Sequence, residues 1–150
     1  AGELDLALTV RHANHGNGDI LAAESLVWAA HRDFDHDPQA ALPLALFPDH
    51  CPYRQRALDS LTRQGRQWSL HYTSQSPTGL RMAVNQRDAV TVADRRTLPD
   101  DWRILGDTDG LPPLPPAELE LHRSPSFQHP AGDDLIMLIR ELLASDATIA

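Results

Sequence analysis

The chain has 150 residues, 41% of them hydrophobic, and carries a formal net charge of −8 with thirteen arginines and no lysine. This length and composition fit one domain or two small lobes with a real core, and they exclude a chain that is disordered throughout. The acidic balance argues against a surface that grips a phosphate backbone, because such a surface needs a basic face.

The single cysteine, Cys51, excludes an internal disulfide and a cysteine-based zinc site. No apolar run approaches the ~18 residues of a membrane-spanning helix, and no secretion signal opens the chain. We therefore expect a cytoplasmic protein that does not contact membranes. The chain begins without Met and enters an apolar run almost at once, so we expect it to be a fragment of a longer protein.

The amino-terminal part predicts two strands. Leu4 to Val10 is a short apolar run, typical of a strand covered on both faces. Arg11 to Asp19 contains two Asn, two His and two Gly and predicts a loop. Leu26 to Ala30 predicts the second strand, and Asp33 to Pro38 a turn.

The middle of the chain alternates strands and helices. Two strand–helix–strand units in succession imply a parallel sheet with right-handed connections. Gly65 follows the first helix, where a left-handed C-cap glycine belongs. The five elements are Leu42 to Phe47, Pro52 to about Gly65, Trp68 to Thr73, Pro77 to about Gln86 and Ala89 to Ala93.

The carboxyl-terminal part predicts two strands and the strongest helix of the chain. Trp102 to Leu105 indicates a short strand, and Gly110 to Pro116 a rigid, proline-rich crossover. Glu118 to His122 alternates polar and apolar residues, as a half-exposed strand does. Asp133 and Asp134 open a helix with a broad apolar face. We expect this face to pack on a sheet, with a dimer face as the alternative.

The loop between the strand that ends at Thr73 and the following helix is the most informative segment. Ser76 is placed to be the N-cap and Pro77 the first helical residue. The hydroxyls and amides of Thr73, Ser74, Gln75 and Ser76 then lie beside unpaired helix N–H groups at the carboxyl end of a strand, where open α/β folds bind small ligands. The alternative is plain helix capping, which needs only Ser76. Phe47 ends a neighbouring strand at the same edge and predicts an apolar wall.

The sequence favours neither a metal site nor catalysis. His12 and His15 lie in a Gly- and Asn-containing loop with no helix to align them, and His36 lies in a turn, so we expect solvated histidines and no metal. Cys51 follows His50 directly, and adjacent residues rarely face each other, so a nucleophile pair is not expected. No phosphate-binding loop, dinucleotide fingerprint or Gly-x-Ser-x-Gly motif is present. We therefore expect no cofactor and no enzymatic activity.

Five segments, in this order and spacing, resemble the effector-binding domain of LysR-type transcriptional regulators. The likeness runs from Gly2 to the C-terminal helix and rests on order and spacing, since no single motif decides it. Thr9 is similar in place to a polar cleft residue of that family, so it joins the candidate ligand residues. The alternative is an ordinary β-branched strand residue. The segments are Gly2 to Leu8, Leu26 to His31, Leu44 to Arg54, Tyr72 to Leu80 and Gly110 to Pro115.

The resemblance implies an α/β, two-lobed fold of the periplasmic-binding-protein type with a small-molecule effector between the lobes. The second lobe, residues 33–113, would be complete. The first lobe, residues 1–32 and 114–150, would be partial, because the family has further elements and a DNA-binding domain ahead of Gly2. DNA would be contacted only through that absent domain, in a dimer or tetramer of the full protein.

This chain departs from the family pattern after the helix that follows Thr78. The family usually has a glycine near Arg87 and an apolar residue near Asp88, whereas both residues here are charged. We take the chain to be the effector-sensing domain of a LysR-type regulator. The alternative with the same fold is a stand-alone solute-binding protein, for which a signal peptide is expected. A small hydrolase using Cys51 or a His/Asp cluster is a further alternative.

Overall fold

The computed structural model describes residues 4–12 and 16–147. The chain divides into two compact units, the first formed by Ala1–Glu24 with Ala117–Ala150 and the second by Ser25–Pro116. The family resemblance implied lobe boundaries after residues 32 and 113, and these boundaries stay a prediction. The compact units divide after residues 24 and 116, so the strand at Leu26–His31 belongs to the second unit.

Eight strands and three α-helices make up the described chain. In chain order they are β1 Leu6–Val10, β2 Asp19–Glu24, β3 Leu26–His31, β4 Leu42–Leu46, α1 Pro52–Gln64, β5 Trp68–Thr73, α2 Pro77–Val84, β6 Thr91–Asp94, β7 Trp102–Leu105, β8 Ala117–Arg123 and α3 Pro130–Ala147.

The second unit contains the predicted succession of strand, helix, strand, helix and strand, which is confirmed. Strand β5 runs parallel to β4, and a parallel bridge joins Leu44 to Val90, next to the start of β6. Strand β3 pairs antiparallel with β6 on one side and β7 on the other. The short strand at β7 is also confirmed.

The core of the second unit forms around β3 and β4, whose residues are all buried. Both strands read as continuous apolar runs, as strands covered on both faces do. Helices α1 and α2 each turn one apolar stripe towards this core. The largest fully buried side chains are Trp28, Leu44, Leu46, Leu61, Leu111, Val84 and Val90.

A left-handed residue follows each of the two helices of the second unit, directly after α1 and three residues after the end of α2. Gly65 has φ 71° after α1, and the N–H of Arg66 donates to the carbonyl of Leu61 over 3.0 Å, so the predicted C-cap glycine is confirmed. Arg87, shortly after α2, also has φ 71°. A side chain in this region costs about 1–2 kcal/mol that glycine avoids. The backbone thus adopts the left-handed conformation at the position where the family usually has glycine, although the residue is arginine.

The first unit corrects several expectations. Strand β1 is not covered on both faces, since Leu8 and Thr9 are exposed. Strand β2 was not predicted, and the predicted loop overlaps it only at Asp19. Strand β8, expected to be half exposed, is buried at four of its seven positions. It lies between β1 and β2 and pairs antiparallel with both, so its neighbours cover it.

The C-terminal helix also differs from expectation. It begins at Pro130, one turn before the predicted Asp133. The expectation that its broad apolar face packs on a sheet is met only in part. The helix contacts β2, and Ile136, Ile139 and Leu143 are half-buried. The described part of α3 has Leu135, Met137, Leu138 and Leu142 between 47% and 60% exposed.

Candidate ligand site

The carboxyl ends of β4 and β5 lie side by side. Leu46 and Thr73 are register partners in the parallel pair, and the N–H of Ser74 donates to the carbonyl of Leu46 over 3.3 Å. The chain therefore leaves the two strands next to each other, at Phe47 and Ser74. The structure brings Phe47 and the Thr73–Ser76 loop to one edge of the sheet of the second unit.

The Ser74 hydroxyl is engaged within the loop. It accepts a hydrogen bond from the N–H of Ser76 over 3.1 Å and donates to the Ser76 carbonyl over 3.2 Å. A hydroxyl that makes two hydrogen bonds to the backbone holds the loop in its conformation. It therefore has little capacity left to bind a ligand. Of the predicted site residues, Ser74 is therefore the one whose local role is clearest.

Ser76 occupies the N-cap position in its backbone but not in its side chain. Its φ of −103° and ψ of 131° are those of an N-cap, and its carbonyl accepts from the N–H of Leu80 over 3.1 Å. Its hydroxyl makes no capping bond to the helix. Plain capping by Ser76, the alternative reading of this loop, is thus not what the side chain does here.

The amino end of α2 leaves backbone donors open. Pro77 has no N–H, and within the described chain the N–H groups of Thr78 and Gly79 meet no acceptor. Unpaired N–H groups and the helix dipole together favour an anion or a carboxylate at such an end. The exposed side chains of Thr73, Gln75 and Ser76 lie around this end.

Gly79 is required by the way Ser74 packs. A Cβ at residue 79 would collide with the Ser74 hydroxyl and lie 3.0 Å from the Ser74 Cβ. The serine side chain therefore sits directly against the first turn of α2. From the sequence, Gly79 appears only as a glycine inside a helix, where glycine is unfavourable unless packing requires it. The close approach of Ser74 provides that requirement.

Arg54 holds the loop that follows β4. Its guanidinium donates to the carbonyl of Phe47 over 3.1 Å and pairs with the Asp49 carboxylate at 2.7 Å. The Phe47 ring meets the Tyr53 ring edge-on, with 6.4 Å between centroids. Sequence reasoning missed Arg54, because nothing in helical periodicity shows that a side chain reaches back seven residues.

Tyr72 and Asp88 connect β5 to the segment after α2. The phenol donates to the Asp88 carboxylate over 2.9 Å. That hydrogen bond raises the pKa of Tyr72 above its ordinary value, with smaller contributions from desolvation and from the negative charge of Asp88. The Tyr72 and Phe47 side chains pack against the buried cluster that includes Ala45 and Leu80. Asp88 thus accepts a hydrogen bond from Tyr72 that an apolar residue at position 88 could not accept.

Thr9, the remaining candidate, belongs to the first unit. It lies exposed on β1, in register with Glu120 of β8. Glu120 is 3% exposed, and its Oε1 lies 3.1 Å from Nε2 of His122. Arg11, which follows β1, forms an ion pair at 3.3 Å with Glu118 of β8. Sequence reasoning missed this polar cluster, although the alternation Glu118, Glu120, His122 places all three on one face of β8.

The histidines do not assemble a metal site in the described part of the chain, where no group of three or more His, Cys, Asp or Glu side chains is arranged to hold an ion. The Nε2 of His36 lies 3.4 Å from the carbonyl of Ala40, and its ring stacks on Phe34. His15 lies outside the described residues. None of the helices that the structure describes has the length and apolar character needed to cross a bilayer.

Comparison with known proteins decides the family. The family described as LysR substrate binding domain matches residues 1–144. The chain belongs to this family. Its members are transcriptional regulators, and the assignment of the chain as the substrate-binding domain of a LysR-type regulator is confirmed. The HTH-type transcriptional regulator PecT of Dickeya dadantii is 28% identical over 128 residues, which are 85% of this chain and 40% of PecT.

Solved regulatory domains share the fold of this LysR-type domain. The apo-form of the HypT regulatory domain from Salmonella typhimurium has a TM-score of 0.75 at 14% identity, over 96% of this chain and 75% of that one. The Synechocystis CcmR regulatory domain in complex with 2-PG has a TM-score of 0.70 at 14% identity, over 94% and 74%. The predicted α/β fold of the two-lobed, periplasmic-binding-protein type is thereby confirmed. The chain spans about 40% of the length of the curated relatives that it matches.

Proposed function

We propose that this domain senses a small polar or carboxylate effector at the carboxyl edge of β4 and β5. Phe47 forms the apolar wall of the site. Thr73, Gln75 and Ser76 supply hydroxyl and amide groups, and Ser74 holds the loop in place. Thr9, on β1 of the first unit, stays a candidate ligand residue on its own resemblance to the family pattern.

The open amino end of α2 is the observation that supports this proposal most strongly. Two N–H groups, of Thr78 and Gly79, meet no acceptor in the described chain, and the nearby Ser76 hydroxyl makes no capping bond. Donors of this kind suit a carboxylate or another acceptor-rich group. The related CcmR regulatory domain was solved in complex with a small molecule, 2-PG, which supports a small-molecule ligand for this domain as well.

The domain acts by recognition and not by catalysis. An effector that binds one arrangement of the domain better than another shifts the equilibrium between arrangements by that difference in affinity. In the whole protein this shift would alter the geometry of a dimer or tetramer whose DNA-binding domains lie outside these 150 residues. A regulator that binds DNA works in the cytoplasm, which is where we place it.

A stand-alone solute-binding protein of the same fold is the second candidate. The HTH-type regulators among the relatives favour the regulator. The two candidates differ in one simple observation, which is whether the native polypeptide carries a DNA-binding domain. Fractionation of the source cells with an antibody against this domain separates an exported protein from a cytoplasmic one.

The test is a pair of serine substitutions in the full regulator with a reporter for its target promoter. Ser76→Ala removes one hydrogen bond to the effector and should raise the effector concentration for half-maximal response about tenfold. Ser126→Ala, at an exposed serine of the first unit, should leave it unchanged and serves as the matched control. An unchanged response in Ser76→Ala, with the thermal midpoint also unchanged, would contradict the site assignment.

A further inference from the structure

The segment that leads into β2 contains the sequence Asn17–Gly18, the one place where glycine follows asparagine in this chain. Asn17 is exposed and lies outside any helix or strand, and Gly18 directly precedes β2. Among the residues that the structure describes, neither the Asn17 side-chain amide nor the Gly18 N–H has a hydrogen-bond partner. Two groups that can react with each other therefore lie side by side, and no bond holds either of them.

Glycine at position 18 is required by its neighbours on β8. A Cβ at this position would lie 2.7 Å from the carbonyl oxygen of Leu121 and 3.0 Å from the ring of His122. Because the first of these atoms belongs to the backbone, it cannot move aside as a side chain would. The absence of a Cβ leaves the Gly18 nitrogen unobstructed and allows the backbone to rotate towards the Asn17 side chain.

The Asp–Gly sequence Asp109–Gly110 offers similar groups, but each of them is engaged. The Asp109 carboxylate accepts hydrogen bonds from Nη1 of Arg103 and from the N–H of Gly106, each over 3.0 Å. The N–H of Gly110 donates to the carbonyl of Asp107 over 3.0 Å. These bonds must break before the carboxyl group and the nitrogen can meet, so the structure protects this pair.

Asn85 is protected as well, whereas Asn14 lies outside the described residues. The side-chain oxygen of Asn85 accepts from the indole N–H of Trp102 over 2.8 Å. Its backbone, with φ −70° and ψ −8°, ends α2, and the next N–H, of Gln86, donates to the carbonyl of Ala83 over 3.0 Å. Over residues 4–12 and 16–147, Asn17 is thus the asparagine whose side chain and following nitrogen are both unengaged.

We propose that Asn17 is a site of spontaneous modification, at which the side-chain amide is converted to a carboxylate. The Gly18 backbone nitrogen attacks Cγ of Asn17 and loses its proton. The new bond to Cγ replaces the bond to the side-chain nitrogen, which leaves as ammonia. Water then opens the resulting five-membered imide at either of its carbonyl carbons. One opening gives aspartate, and the other gives isoaspartate, in which the backbone runs through Cβ.

The product differs from the parent chain in charge and in backbone length. Each event adds one negative charge to a chain whose formal net charge is −8. Isoaspartate also adds one backbone carbon two residues before Asp19, the residue at which β2 starts to pair with Leu121 of β8. Because the only co-reactant is water, the modification is independent of the proposed effector-sensing function.

Incubation of the purified chain at mildly alkaline pH, followed by peptide mass spectrometry, tests the site. Residue 17 should gain the mass difference between an amide and a carboxyl group at least about tenfold faster than Asn85, whose hydrogen bonds must break first. Fragment ions separate residue 17 from Asn14 in the same peptide. Protein isoaspartate methyltransferase should then add methyl groups to the modified peptide.

The same incubation in urea separates the effect of structure from that of sequence. Unfolding should accelerate isoaspartate formation at Asp109 at least about tenfold, because its hydrogen bonds are lost, and should leave the rate at Asn17 nearly the same. Asn17→Gln keeps an exposed amide but disfavours the five-membered ring, so it should abolish the mass gain at residue 17. A folded-state rate at Asn17 as slow as at Asn85, or a tenfold rise at Asn17 on unfolding, overturns the proposal.

Discussion

Both units of this domain contain largely apolar strands and helices, but they bury them very differently. In the second unit, β3 and β4 are buried along their whole length, between helices and neighbouring strands. In the first unit, β1 and β2 lie at the edges of a three-stranded sheet and are half exposed. Helix α3 exposes Leu138 and Leu142 by more than half. An apolar run thus predicts an element, whereas its burial depends on what the rest of the chain places beside it.

Core substitutions should show the largest difference between the units. Leu61→Ala, in the fully buried face of α1, should lower the free energy of unfolding by about 2–5 kcal/mol because it leaves a cavity. Leu138→Ala, at a residue that is 52% exposed on α3, should change it by less than about 0.5 kcal/mol. Urea unfolding followed by far-ultraviolet circular dichroism measures both. Equal losses would mean that the α3 face is covered after all.

The packing of Ser74 on α2 gives the next largest effect. Gly79→Ala should gain about 0.5–1 kcal/mol from helix propensity, but the new methyl group displaces the Ser74 hydroxyl and breaks its bond to Ser76. In a Ser74→Gly background the same substitution should show the full gain. We expect a coupling of about 1 kcal/mol between the two sites, measured by a double-mutant cycle in urea. If the changes in the free energy of unfolding are additive, the Ser74 side chain does not pack against residue 79.

The left-handed residue after α2 tests the departure from the family pattern. Arg87→Gly should raise the free energy of unfolding by up to about 1 kcal/mol, because glycine adopts φ 71° without the strain of a Cβ. Arg87→Ala, which keeps the Cβ, should bring no gain. Measurement at high salt removes the exposed contact between Arg87 and Asp33, at 3.6 Å, from the comparison. An equal increase in the free energy of unfolding in both variants would show that the Cβ at residue 87 causes no backbone strain.

The pH dependence of the Tyr72–Asp88 pair is the smallest expected effect. The hydrogen bond raises the pKa of Tyr72 above 10.0, so the folded chain favours the protonated phenol. This stabilisation is fully present below pH 10.0 and is lost as the pH rises through the raised pKa. The thermal midpoint of Tyr72→Phe should therefore lie below that of the parent near neutral pH, and the gap should close above pH 10.0. Asp88→Asn should reduce the pH dependence of the difference in thermal midpoint. A difference that grows as the pH rises above 10.0 would show that the folded chain does not favour the protonated phenol.

Much of the second unit could be predicted from the sequence because its signals are local. Continuous apolar runs gave β3 and β4, and Gly65 marked the end of α1. Strand β2 was missed because Asp19 to Glu24 becomes a strand only by pairing with β8, a contact across most of the chain. The exposure of α3 could not be predicted, since an apolar stripe does not reveal whether a partner element is present.

The candidate site was predictable in place but not in detail. The strand ends and the Pro77 helix start pointed to the edge where Phe47 and Ser74 meet. The internal bonding of the Ser74 hydroxyl and the reach of Arg54 back to Phe47 depend on side-chain geometry that no periodicity encodes. The hydrogen bond from Arg56 of α1 to the carbonyl of Pro116 is still harder to predict from the sequence, because its two residues lie sixty positions apart.

The most direct test of the effector site is a titration of the isotope-labelled chain, followed by amide nuclear magnetic resonance, with a panel of small organic carboxylates and their neutral amides. We expect a binding carboxylate to shift the amide signals of Thr78 and Gly79 first and most. We also expect Ser76→Ala to weaken this binding about tenfold and Ser126→Ala to leave it unchanged. A carboxylate that binds and shifts only signals remote from the amino end of α2 would show that the effector site lies elsewhere.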